Sequence, residues 1–294
     1  MTECIICGVS NVSKIIRNEL PMFECQTCAL VWRQEFDVSA LDYTESEISL
    51  GASNIGRRIS NVKGRISCIE GYVQLNNLCD VGAGEGMFLS ELKKRGNTNV
   101  IGIEPNKEAI SYGLSQGVTI FSGTLTDASR IIREHKIRTV TLFHVIEHLD
   151  NPRESLESIF SSLDVGDHIV VETPNADAYS MLRAQYRHPL VYKDHLFYFN
   201  TKNLPMLLEC IGFKVIAKGK RGFDEYNMSI KQALFYLGFG KFPFQTTQKV
   251  GDTKKNSLES ASSSSVFRTI ARKLLSILVV LFGRVDYQWV IAER

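Results

Sequence analysis

The feature that most constrains this 294-residue chain is a regular alternation of short apolar runs with longer helix-like stretches over its middle and end. LCDVG at 78, NVIGIE at 99, VTIF at 118, TVTLF at 139 and HIVVET at 168 read as buried strands, and 88–94 and 152–163 as helices between them. Strands and helices of these lengths in alternation require parallel pairing through right-handed crossovers, so the fold class is α/β with a doubly wound sheet. A helix near 204–210 and two more strands, FKVIAKG at 213 and YQWVIAE at 287, make the sheet seven-stranded and mainly parallel. Before it, Ile55, Ile59, Val62, Ile66, Ile69 and Val73 recur every three or four residues and predict an amphipathic helix over 54–74. GDTKKNSLESASSSS, 251–265, is too polar to bury and reads as a flexible insert.

The strand at 78 ends in Asp80 and turns through Gly82, Gly84 and Gly86 into a helix. Glycines there let backbone approach a ligand, although a glycine turn alone also fits a plain strand-to-helix connection. Glu104, at the tip of the next strand, adds a carboxylate where the hydroxyls of an adenosine ribose would be held. A diphosphate wants neutral amides at a helix N-terminus. Asp80 and Glu85 flank this loop instead, which disfavours a nicotinamide dinucleotide and suits the cationic end of S-adenosylmethionine (SAM).

DVGAGEGMFL, IGIEPN, FHVIEHLDNP at Phe143 and IVVETPN at Ile169, in this order over 78–219, resemble the motifs of class I SAM-dependent methyltransferases. The resemblance implies a Rossmann-like fold in which Asp80, Gly82, Ala83 and Gly84 hold the methionine part. It places Glu104 on the ribose, Pro105 beside the adenine and His144 at the methionine end, with Glu147 and His148 in a structural turn.

Four of the seven cysteines fall within the first 28 residues. Cys4, Cys7, Cys25 and Cys28 form C-x2-C-x17-C-x2-C, a spacing that offers four thiolates to a structural zinc ion. All-cysteine ligation leaves no open position for catalysis. The division expected is a zinc-binding unit and linker over 1–53, then a methyltransferase domain over 54–294. Lys14 and Arg17 are opposed by Glu19 and Glu24 between the cysteine pairs, so no nucleic-acid surface is expected, and a lid or dimer element is the favoured role.

Such a knuckle ahead of this core also resembles sugar C-methyltransferases of deoxysugar pathways, in which a tyrosine, acid and histidine precede an aromatic pair. Tyr192, Asp194 and His195 of VYKDHLFYFN match that cluster, with an aspartate where glutamate is usual. The resemblance implies that His195 is the base and that the acceptor is a nucleotide-linked sugar or glycan residue, methylated on carbon or oxygen. Tyr179, Arg183, Tyr186, Arg187 and His188 precede it as candidates for a sugar or phosphate. Net charge is only +2, so no global field steers the chain to nucleic acid or membrane. LLSILVVLF at 274–282 is too short to span a bilayer, although basic residues before it leave peripheral membrane contact open. With nothing marking it for export, a cytoplasmic location is expected. The rival readings are a nicotinamide oxidoreductase and a non-catalytic scaffold.

Overall fold

A computed structural model describes residues 3–17, 20–33, 55–178, 194–221 and 285–294. The polar insert at 251–265, the apolar run at 274–282, Tyr192 and the aromatic and basic group at 179–188 lie outside these residues. Among the described residues, no helix is long and apolar enough to cross a membrane.

The main sheet is seven-stranded and contains every strand expected from the alternation. In chain order these are β4 (Leu78–Val81), β5 (Val100–Glu104), β6 (Thr119–Ser122), β7 (Thr139–Phe143), β8 (His168–Pro174), β10 (Lys214–Arg221) and β11 (Tyr287–Glu293). Their order across the sheet is β10-β11-β8-β7-β4-β5-β6. β4 to β8 run parallel, and β11 is antiparallel to both β8 and β10. The chain moves outward from β4 through β5 and β6, then returns to β7 on the other side. The carboxyl ends of β4 and β7 therefore diverge at a topological switch, where open α/β sheets leave a crevice. β4, β5 and β7 are buried at every position, which explains why they read as unbroken apolar runs.

The helices are α1 (Ile55–Ile69), α2 (Met87–Lys94), α3 (Lys107–Ser115), α4 (Leu125–Glu134), α5 (Pro152–Ser162) and α6 (Asn203–Ile211). α1 buries Val62, Ile66 and Ile69 as its periodicity predicts, but stops at Ile69 instead of reaching residue 74. Gly71 follows two positions later, and glycine costs about 1 kcal/mol in a helix interior. Two of the helices next to the crevice, α3 and α5, start on side-chain caps. Asn106 accepts from the Ala109 N–H at 2.9 Å, and Asn151 from the Glu154 N–H at 3.3 Å with Pro152 at the first helical position.

The N-terminal residues form β1 (Val12–Arg17), β2 (Leu20–Cys25) and β3 (Val31–Arg33), an antiparallel meander. Its fourth strand, β9 (Phe197–Tyr198), comes from the far end of the chain and pairs with β3. Cys4, Ile6 and Trp32 share one apolar cluster with Leu156 and Ile159 of α5 and Leu204 of α6. Polar contacts reinforce this packing. The Arg153 guanidinium donates to the Ile5 and Ile6 carbonyls at 3.0 and 3.3 Å, and Asn203 donates to the Cys28 carbonyl at 3.3 Å. The segment carrying Asp194 and His195 is thus fixed between the N-terminal meander and the main sheet.

Candidate functional site

Asp80, Glu104 and His144 stand at the ends of β4, β5 and β7, so the sheet register brings them to one crevice. The loop after Asp80 folds back over β5: the Gly82 and Ala83 N–H groups donate to the Ile103 carbonyl at 2.8 and 3.1 Å. This return needs glycine at two places. Gly82 has φ +75°, and a Cβ there would lie 2.5 Å from Val145. Gly102, opposite Asp80 in the ladder, has no room for a Cβ because Ala83 sits 2.7 Å from where it would be. Glu104 closes the loop by accepting from the Gly84 N–H at 2.8 Å and the Asn106 N–H at 3.0 Å.

Two cavities meet at this loop and share Gly82 and Glu104 in their walls. The first, of about 440 Å³, is also lined by Asp80, Ala83, Gly84 and Glu85, with Arg58 and Arg65 of α1 opposite. The second, of about 960 Å³, is also lined by Pro105, His144, His148 and Asp194. The residues expected to hold the cofactor therefore line two adjoining cavities, even though they come from three separate motifs.

Asp80 is buried, and burial lifts its carboxyl to about 7, against the opposing pull of the Thr141 hydroxyl, which donates at 2.6 Å, and of Arg65. Glu85 is not a bare charge as the sequence suggests, because the Arg58 guanidinium donates to it. Near the loop, the Arg58 pairing leaves the negative potential to Asp80 and Glu104.

The strongest electrostatic feature was not read from the sequence. Glu172 of β8 is 2% exposed, and its carboxylate is paired with two arginines. Arg65 of α1 reaches Oε1 at 2.8 Å, while Arg221 of β10 spans both oxygens at 2.9 and 3.0 Å. Burial penalises the Glu172 charge, but the two guanidiniums and His144 outweigh it and hold the carboxyl well below its ordinary range. The available signal was an acid inside an otherwise apolar strand, which demands a counter-charge.

His144 has φ +59°, a left-handed conformation, and its N–H donates to the Glu172 carbonyl at 2.8 Å. Its ring bridges two carboxylates, with Nδ1 3.3 Å from Glu147 and Nε2 3.2 Å from Glu172. Burial lowers the imidazole, yet these carboxylates prevail and raise its pKa. Glu147 and His148 form a 3-10 turn, Ile146–His148, behind it. His148 faces the larger cavity, and its Nδ1 lies 3.0 Å from the Asp194 carbonyl. His195 does not line either cavity; it is 5% exposed, behind His148, with the two rings edge to face at 4.7 Å. Burial pushes its imidazole down to about 4 against the pull of Glu147, so the ring is neutral near neutral pH.

The four N-terminal cysteines converge on one point. Sγ–Sγ distances are 3.4 Å for Cys4–Cys28, 3.5 Å for Cys7–Cys25 and 4.0 Å for Cys7–Cys28. Four thiolates around zinc at about 2.3 Å stand about 3.8 Å apart, so the cluster has the size of a tetrahedral site. The two turns match: the Cys4 carbonyl accepts from Gly8 and the Cys25 carbonyl from Ala29, with Gly8 and Ala29 both left-handed.

Comparison with known proteins agrees with this architecture. A family model described as a methyltransferase domain matches residues 53–218. The chain is 24% identical over 122 residues to the mitochondrial ubiquinone biosynthesis O-methyltransferase of Dictyostelium discoideum, a match covering 37% of this chain and 38% of that enzyme. A SAM-dependent methyltransferase from Archaeoglobus fulgidus superposes with TM-score 0.51 at 22% identity, covering 82% of this chain and 97% of the other. A possible histamine N-methyltransferase from Thermotoga maritima gives the same TM-score at 13% identity, over 82% and 91% of the two chains.

Removing one member of a buried ion cluster strands the others, so Glu172→Gln should cost about 3–5 kcal/mol of stability at neutral pH in urea titrations. A carboxyl depressed by folding stabilises above its ordinary 4.5 and loses that contribution as pH falls below it. The difference between wild type and variant should therefore narrow in acid; a constant difference would contradict the pairing.

Proposed function

Because the chain belongs to the methyltransferase domain family, matched over 53–218, we propose that it transfers a methyl group from SAM to a small polar acceptor. The observation that carries this reading is the pair of carboxylates, Asp80 and Glu104, on adjacent strand tips around a glycine loop that separates two cavities. When bound, SAM supplies a methyl group activated by its sulfonium charge.

Asp80 attracts the cationic methionine end, and Gly82, Ala83 and Gly84 let it pass close to backbone. Glu104 accepts from the ribose hydroxyls through lone pairs that the two backbone donors leave over, and Pro105 flanks the adenine. His144, fixed between Glu147 and Glu172, marks the methionine end on the side of the larger cavity. The rest of that cavity offers Thr124, Thr126, Asn151, Ser155 and Ser158, a hydroxyl and amide lining that suits a polyhydroxylated acceptor such as a nucleotide-linked sugar or glycan residue. For an oxygen or carbon acceptor the chain must also remove a proton. His148 and Asp194 stand at the cavity wall, so His195, the base suggested by sequence, acts through His148 in this reading. A zinc ion held by Cys4, Cys7, Cys25 and Cys28 would fix the N-terminal unit over 1–53 against the domain over 54–294. It takes no part in the chemistry.

Calorimetry should detect SAM and S-adenosylhomocysteine but not NAD, and Glu104→Ala should weaken SAM by about tenfold or more. Binding a cation favours ionised Asp80, so affinity should fall, by up to about tenfold per unit, as pH drops below about 7. Asp80→Asn should flatten this dependence; NAD binding, or none at all, would overturn the reading. With labelled SAM and a panel of nucleotide sugars and glycans, His148→Ala and His195→Ala should each reduce turnover by about 10²–10⁴-fold at unchanged SAM affinity, and full turnover in both would remove the histidines from the proton path. Metal analysis should find zinc in the wild-type chain and none in Cys25→Ser, whereas equal metal in both would exclude the cysteine site.

A further inference from the structure

The smaller cavity has walls of opposite charge. Asp80 and Glu104 stand on the strand tips, while one face of α1 presents Arg58, Asn61 and Arg65 at helical spacings of three and four. The Arg58 and Glu85 charges cancel each other. Arg65 is not cancelled in this way, because it shares the single Glu172 carboxylate with Arg221, and His144 and Glu147 offset one another. One positive charge is left in excess. The Arg65 side chain is only 19% exposed, so water screens it poorly and an anion beside it is favoured.

Asn61 and Arg65 are both held in place with donors to spare. Arg65 commits Nε and Nη2 to Glu172 Oε1, each at 2.8 Å, and its guanidinium lies over the Phe143 ring, 4.7 Å from the centroid. Its Nη1 group has no partner among the described residues. Asn61 accepts from Arg221 Nη1 at 3.3 Å through Oδ1, which makes Nδ2 the uncommitted end of the amide among those residues. A guanidinium offers five N–H donors and an amide two. Neither the glycine loop nor the strand tips bring a cation to this cavity, so among its described lining residues α1 alone supplies them.

We propose that Asn61 and Arg65 bind the α-carboxylate of the cofactor's amino-acid end and thereby decide which sulfonium compounds the protein accepts. The inference rests on the SAM reading and deepens it, because the residues assigned above meet the adenosine and the cationic groups but leave the carboxylate without a partner. An α-amino acid is a zwitterion, and the smaller cavity matches it: Asp80 suits the ammonium, and the α1 face suits the carboxylate. Hydrogen bonds from a guanidinium to a carboxylate are charge-assisted, and side chains already fixed lose little freedom on binding. The consequence is a choice between two close analogues. Decarboxylated SAM keeps the sulfonium and the amine and carries one more net positive charge. Acids alone would favour it; with Asn61 and Arg65 reading the carboxylate, the preference is for intact SAM.

The test is calorimetric titration of the full chain with SAM and with decarboxylated SAM. Wild type should bind SAM more tightly by about tenfold or more. Asn61→Ala should weaken SAM about tenfold and leave decarboxylated SAM unchanged, so that the ratio between the two narrows. Arg65→Lys keeps the charge but loses the planar fork, and should narrow the ratio as well. Should the Arg65 variant fail to fold, Asn61→Ala, at a half-buried position, still decides the matter. A merely structural role would weaken both ligands in parallel. That outcome, or a wild type that binds decarboxylated SAM as well as SAM, overturns the carboxylate site. If wild type binds SAM without this preference, only the present inference fails; if it does not bind SAM, the methyltransferase reading fails with it.

Discussion

The buried Glu172 carboxylate, with its two arginines, is the contact on which the geometry of the crevice depends. It joins three elements distant in sequence: α1 through Arg65, β8 through Glu172 and β10 through Arg221. Each arginine also lies over an aromatic ring, Arg65 above Phe143 at 4.7 Å and Arg221 above Tyr287 at 5.8 Å, so these positions are shaped as well as charged. Buried ion pairs often add little net stability compared with apolar packing, because desolvation offsets attraction. Their value here is directional. A hydrophobic patch would let α1 slide, whereas a carboxylate shared by two guanidiniums sets where the helix lies over the glycine loop. His144 enters the same cluster, which fixes the end of β7 and with it the boundary between the two cavities.

The sheet was legible because its central strands β4, β5 and β7 are buried on both faces and therefore read as continuous apolar runs; all seven strands were placed from sequence. The strand tips carrying Asp80 and Glu104 were legible for a related reason: local spacing alone decides where a strand ends and a helix begins. What escaped depends on long-range partners. Nothing near Arg65 in sequence marks it off from Arg58, yet Arg65 meets Glu172 while Arg58 meets Glu85. Gly102 passes for an ordinary strand residue until the loop at Ala83 is seen to press against it. The pairing of β3 with β9 also joins segments more than 160 positions apart, and no local pattern announces it.

The same distinction bears on the corner formed by His148 and His195. Sequence singled out His195 because it is flanked by an acid and aromatic residues, and treated His148 as part of a structural turn. In the fold, His148 is at the cavity wall and His195 lies behind it, with Phe197 and Phe199 in the core that carries the N-terminal meander. A base must reach its proton within about 3 Å, or through one relay, so access ranks the two histidines before basicity does. Burial depresses the His195 imidazole and so keeps the ring neutral near neutral pH. The N-terminal unit then has a use beyond covering the sheet. By adding β3 beside β9, it holds the segment that carries His195 behind His148.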